Sequence, residues 1–127
     1  MKEIIKTDKA PAAIGPYSQA VKVKADNLIF CSGQIPLDPA TGEIVGETIE
    51  DQCRQVMENL GAVLKAAGVD FSRVVKATIY LADMKYFAKV NEIYGGYFKS
   101  DPPARAAFAV KTLPKEVMVE IEVIAAG

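Results

Sequence analysis

Arg105 and Glu120 are the residues whose types and setting in this chain could do chemistry together. Arg105 stands in P-A-R-A-A-F at 103–108, and Glu120 in V-E-I-E at 119–122. An arginine among small alanines leaves room for a ligand, and its planar fork matches a carboxylate in two-pronged fashion. A carboxylate within reach of a bound water can take that water's proton. Both residues lie in alternating, β-rich runs, Ala104 to Val110 and Val117 to Ala125, on either side of a connection containing Pro114 and Lys115. That pattern predicts an antiparallel hairpin. With Phe108 and Val119 pointing into the core, Arg105 and Glu120 share the opposite face, and one register sets them side by side. The same spacing also fits a plain cross-strand ion pair on a solvated face. Glu122 shares that face with Glu120 and could replace it on spacing alone.

The rest of the chain must position these groups, and its totals narrow how. At 127 residues it is long enough for one domain, 1–127, with a core that needs no staples. Fifteen basic residues stand against sixteen acidic ones, and no segment gathers the basic ones into the stripe that a nucleic-acid binder shows. The start, M-K-E-I-I-K, lacks the apolar stretch of a signal peptide, and no run is long enough to span a membrane, so a cytoplasmic protein is expected. Cys31 and Cys53 are too few and too far apart for a metal motif and read as small core residues rather than nucleophiles or a disulfide. The chain contains no histidine. That removes Ser-His-Asp and Cys-His catalysis in their usual forms and nearly all catalytic zinc sites. No glycine-rich phosphate loop is present, so no cofactor is expected and no metal site is assigned.

Taken in order, residues 2–6 suggest a first strand. A-P-A-A-I-G-P-Y at 10–17 reads as an ordered loop ending in an aromatic. Ser18 to Val23 and Leu28 to Ile35 suggest two strands, and Ser32-Gly33 in the second could be a simple bulge. Thr48 to Gly68 is the clearest helix, with Ile49, Cys53, Val56, Met57, Leu60, Val63, Leu64 and Ala67 on one stripe. Thr48 and Asp51 resemble a capping box, and Gly68 supplies the stop. Val74 to Leu81 alternates as a strand. Asp83 can cap a second helix whose stripe is Phe87, Val90, Ile93, Tyr94, Tyr97 and Phe98, of which Tyr94, Tyr97 and Phe98 read as core. The result is an α+β domain with about six strands in one mixed sheet and two helices on one face. The uncovered face is more apolar than a solvated face should be, which points to oligomerisation through it.

The motifs also resemble those of the Rid family of reactive-intermediate deaminases, also called the YjgF family. The likeness rests on P-A-R-A-A-F and V-E-I-E, together with A-P-A-A-I-G-P-Y at 10–17, S-G-Q-I-P at 32–36, V-N-E-I-Y at 90–94 and L-P-K at 113–115. It runs in one order over nearly the whole chain.

The resemblance implies a chorismate-mutase-like fold, a homotrimer with sites between subunits, and hydrolysis of 2-iminobutanoate and 2-iminopropanoate to 2-oxo acids and ammonia. By motif position, Arg105 would grip the substrate carboxylate and Glu120 would handle the attacking water. Tyr17, alone a packed loop aromatic, would close the pocket from the neighbouring subunit. Gly33 and Ala107 would offer backbone groups, with Ser32 and Asn91 nearby. Some relatives carry cysteine where this chain has Ala107, so a thiol is unavailable there. Two further readings stand beside the deaminase. One is a protein that binds 2-oxo acids without turnover, by the same carboxylate recognition. The other is RNA cleavage or translation inhibition, attached to some family members, against which the near-neutral charge counts.

Overall fold

The computed structural model describes residues 2–127. The elements follow as β1 (Lys2–Ile5), β2 (Ala20–Val23), β3 (Leu28–Gln34), α1 (Ile49–Ala66), β4 (Val74–Leu81), α2 (Phe87–Gly95), β5 (Ala104–Ala109) and β6 (Val119–Ala126). The α+β order read from the sequence is the order observed. The expected single six-stranded sheet is not. β1 and β2 pair with each other, and the other four strands form a sheet in the order β3-β6-β4-β5. A single parallel bridge between Ser18 and Ala104 joins the two. There the Ser18 N–H donates to the Pro103 carbonyl at 3.1 Å, and the Ser18 hydroxyl to the Pro102 carbonyl. Pro102 and Pro103 have no N–H to return, so the ladder cannot extend past this point.

The predicted hairpin is also corrected. β4, α2 and β5 form a strand–helix–strand unit, and such a crossover lays its two strands parallel and side by side. Ala77 is thus paired with Arg105 and Ile79 with Ala107. β6 runs antiparallel on the other side of β4, with Ala77 opposite Val123, Ile79 opposite Ile121 and Tyr80 opposite Glu120. The chain from Val110 to Met118 therefore crosses two strand spacings, roughly 10 Å, rather than turning tightly. It does so by arching over the end of β4: the Val110 N–H donates to the Leu81 carbonyl, and the Ala82 N–H to the Met118 carbonyl, each at 2.9 Å. Lys115 and Glu116 take left-handed φ values of 55° and 56° in this arch.

The two helices cover one face of the four-stranded sheet. Ala77, Ile79, Leu81, Val119, Ile121 and Val123 point to it and are buried, as are Cys53, Val56, Met57, Leu60 and Leu64 of α1. α1 starts where the Thr48 hydroxyl accepts the Asp51 N–H at 3.2 Å. It ends in a Schellman turn, with Gly68 at φ 79°, its N–H on the Lys65 carbonyl, and the Val69 N–H on the Leu64 carbonyl. Buried Gln52 is the polar member of the stripe. Its amide donates to the Gly46 carbonyl at 3.2 Å and its oxygen accepts the Met118 N–H at 2.9 Å, tying α1 to the start of β6. Gln52→Ala should lower stability by about 1–3 kcal/mol, because both backbone groups lose their partner in a place with little water. A denaturant midpoint equal to that of the wild type would show that the tie contributes nothing.

Candidate active site

Arg105 reaches the site from β5 on the helix side of the sheet, in the row of buried Ala77. α2 meets it there with two rings and an amide. The guanidinium carbon lies 5.6 Å from the Phe87 ring centre and 5.3 Å from that of Tyr94, and Nη1 donates to Asn91 Oδ1 at 2.6 Å. Tyr17 of the same chain provides a third ring, at 5.2 Å. Its loop reaches α2 because Gly95 has no side chain. A Cβ there would stand 3.2 Å from Pro16 Cβ. Gly15, at φ 123°, turns the chain past the Asn91 amide, a conformation that favours glycine. The loop is closed by Gln19, whose amide donates to the Pro11 carbonyl at 2.6 Å and whose oxygen accepts the Thr7 N–H at 2.7 Å.

The charge in this nest is uncompensated. Among the described residues no carboxylate pairs with Arg105; the ion pairs present are the exposed Arg54–Asp51 and Lys89–Glu50. Burial pulls the arginine below its ordinary proton affinity, and Tyr94 and Tyr17 work the other way. The guanidinium remains protonated. Tyr94 is fully buried, its pKa is raised by burial, and its hydroxyl has no hydrogen-bond partner among the described residues.

Glu120 belongs to a second cluster on the opposite, open face. β6 alternates Val119, Ile121 and Val123 inward, so Glu120 and Glu122 point outward. β3 and β6 slip register between Cys31 and Gln34, which puts Ser32 and Gly33 in a bulge. The Glu120 carboxylate lies against Gly33: a Cβ on that glycine would stand 2.9 Å from Glu120 Cδ and closer still to one carboxylate oxygen. Burial first, then the neighbouring charge of Glu122, raises the Glu120 pKa. Glu122 is engaged by the Tyr80 hydroxyl. Spacing could not choose between the two glutamates. The structure separates them, since among the described residues no donor engages Glu120.

Several expectations change on this geometry. Arg105 and Glu120 do not share a face, because parallel pairing with β4 turns Arg105 toward α2. Phe108, expected in the core, lies on the open face and is 45% exposed, its ring edge-on to Tyr80 at 5.4 Å. Tyr17 and Asn91 join Arg105 within one chain, so no neighbouring subunit is needed to bring Tyr17 there. Ala107 shares the face of Arg105, two residues along the same strand. Phe87 and Tyr94 were read as stripe residues only. Their place at Arg105 could have been found from the strand–helix–strand order, which turns α2 over β5.

Residues 7–127 match the family described as Endoribonuclease L-PSP. The chain belongs to this family, the Rid (YjgF) family that its motifs resemble. Its sequence is 57% identical to a RutC family protein of Pyrococcus horikoshii over 98% of each chain. It is 54% identical to the 2-iminobutanoate/2-iminopropanoate deaminase of Mus musculus, over 98% of this chain and 91% of that one. Among solved structures it is similar to E. coli TdcF with bound serine, with a TM-score of 0.75 and 41% identity over 98% of each chain.

In this member of the family both cysteines are buried free thiols, as the sequence suggested. Burial pushes the Cys53 thiol up to about 12, so it is protonated at neutral pH, and raises Cys31 as well. Among the described residues no cluster of His, Cys, Asp or Glu is arranged to hold a metal ion. Among the described residues no helix is long and apolar enough to cross a membrane.

The contact between Gly33 and Glu120 makes a direct prediction. Gly33→Ala should leave stability within about 1 kcal/mol of the wild type, since the added methyl meets the far end of a partly exposed side chain. It should displace the Glu120 carboxylate, seen as a shifted carboxyl titration by 13C NMR. An unmoved titration would mean that the carboxylate does not rest on the Gly33 backbone.

Proposed function

We propose that the protein hydrolyses reactive enamine and imine intermediates, with 2-iminobutanoate and 2-iminopropanoate as substrates, to 2-oxo acids and ammonia. The observation that carries this reading is the half-buried Arg105 guanidinium with only neutral neighbours. A desolvated charge left without a counter-ion calls for an anion from outside the chain. The substrates supply a carboxylate of suitable shape. The names of the relatives support the same chemistry: the mouse protein is a deaminase of these imines, and TdcF holds serine, which also carries a carboxylate.

In this reading Arg105 uses the edge of its fork not engaged by Asn91 to hold the carboxylate, which fixes the C=N carbon beside it. Water adds to that carbon. Glu120 accepts the water's proton and passes it to the nitrogen, giving a carbinolamine. It then takes the proton of the new hydroxyl and delivers it to the amino group, so that the C=O forms as the C–N bond breaks and ammonia leaves. The raised pKa of Glu120 suits it to this exchange better than an ordinary carboxylate. Tyr17 closes one side, Ala107 and Gly33 contribute backbone groups, and Ser32 borders the water. Such imines already hydrolyse unaided, so positioning and one proton shuttle suffice.

The two clusters lie on opposite faces of one sheet, so a complete site takes Arg105, Asn91, Tyr17 and Ala107 from one copy and Glu120, Gly33 and Ser32 from another. A homotrimer with three such clefts satisfies this and covers the open face, where Phe30 on one edge strand is 71% exposed and Phe108 on the other 45%. RNA cleavage finds no support in the charge, which is −1 overall.

The test is ammonia and 2-oxobutanoate release when the protein is added to a threonine dehydratase reaction. The wild type should accelerate release over the spontaneous rate, and Arg105→Ala should not. Arg105→Lys should lose most activity, because an ammonium cannot reproduce the two-pronged grip. Glu120→Gln should bind 2-oxobutanoate normally but turn over slowly. No acceleration, with 2-oxobutanoate still bound by the wild type, would make the protein a 2-oxo acid binder instead.

A further inference from the structure

Glu120 and Glu122 are two carboxylates on one face of one strand, and either could take a proton from water. Two equivalent bases there would compete for the water and for each other's proton. The open face breaks this symmetry. Tyr80 is directly opposite Glu120 in the β4–β6 register, yet its hydroxyl is donated diagonally to Glu122. Its ring is pinned edge-on by Phe108. The hydrogen bond to Glu122 is the leading cause of the raised Tyr80 pKa, so the hydroxyl stays a donor through neutral pH. Glu120 is left against the Gly33 backbone, without a donor among the described residues and with a like charge two residues away.

We propose that Tyr80 and Glu122 are a positioning pair for Glu120: the Tyr80 hydroxyl holds the Glu122 carboxylate off the water, so that its charge acts on Glu120 while only Glu120 is free to accept the proton. This rests on Glu120 handling the water, as above. The groups facing Glu120 are Glu122 on its own strand, Tyr80 and Thr78 on β4 and the uncharged Gly33 on β3. Within one chain Glu122 is the one fixed charge among them; the Arg105 that the proposed site brings from another copy is the same in wild type and variant and leaves the difference between them to Glu122. Its field disfavours a second negative charge nearby and so raises the proton affinity of Glu120. A base with a raised pKa loses activity as pH falls through that value, so removing the Glu122 charge should let activity persist to lower pH.

The experiment uses the full chain with Glu122→Gln, Tyr80→Phe and Glu120→Gln, the last also assigning the Glu120 carboxyl signal. In Glu122→Gln the 13C titration midpoint of Glu120 should fall by roughly half a pH unit or more, as expected for a nearby like charge at a partly wet surface. The acid limb of turnover, after subtracting spontaneous hydrolysis, should move down by the same amount. Tyr80→Phe keeps the ring but frees Glu122. It should slow turnover about five- to tenfold, the scale of one typical net hydrogen bond, with 2-oxobutanoate binding unchanged. An unmoved Glu120 midpoint in Glu122→Gln, with Glu120→Gln inactive, would overturn the positioning pair alone. Full turnover in Glu120→Gln would overturn it together with the role given to Glu120.

Discussion

A guanidinium held partly out of water with no counter-ion is expensive to keep, and most of the chain's local choices around Arg105 make sense as ways of keeping it. The three rings offset part of the cost, since a cation over an aromatic face gains roughly 0.5–2 kcal/mol depending on how dry the contact is. Asn91 satisfies one N–H without cancelling the charge, as an aspartate at the same place would. α2 therefore carries Phe87, Asn91 and Tyr94 on successive turns, and Gly95 at its end admits Pro16 so that Tyr17 can close over the same group. The Tyr94 hydroxyl, left without a partner among the described residues, belongs to the same compromise: the ring is needed at a place that offers its hydroxyl none of them as acceptor.

The sheet imposes the second constraint. Side chains alternate across a strand, so the face of a residue is decided by the parity of its strand against the core. β6 must turn Val119, Ile121 and Val123 inward, and this sends Glu120 outward. β5 is paired with β4 so that Arg105 falls in the row of Ala77, on the helix side. The cation and the acid are thus divided by the thickness of the sheet, and no side-chain rotation within one chain unites them. Under the proposed reading this separation is what makes the active unit an assembly.

Much of this was legible in the sequence, for identifiable reasons. The helix stripe, Thr48, Gly68 and the alternation of Val74 to Leu81 are local signals, and local signals place elements well. Arg105, Glu120, Tyr17, Gly33 and Asn91 were singled out by motif, and the structure gathers them into two clusters. What failed was non-local. Two β-rich runs that are neighbours in sequence were read as neighbours in space, although the strand–helix–strand order ahead of them already reserved the place beside β5 for β4. One strand in the wrong place then reversed the faces of Arg105 and Phe108 together. Gln52 and Gln19 were missed because a single polar residue carries no periodic signal, and their partners are backbone groups that only the folded chain brings near.

The loop from Val110 to Met118 shows why that error was not arbitrary. Its Pro114 and left-handed Lys115 and Glu116 are what a hairpin turn would also contain. The difference lies in where its backbone hydrogen bonds go. A hairpin would spend them between β5 and β6, whereas here Val110 and Met118 both bond to residues at the end of β4. That clasp fixes both neighbours of β4 at once, so it sets the registers that carry Arg105 on one side and Glu120 on the other. The placement of the two candidate groups therefore depends on β4, which contributes neither of them.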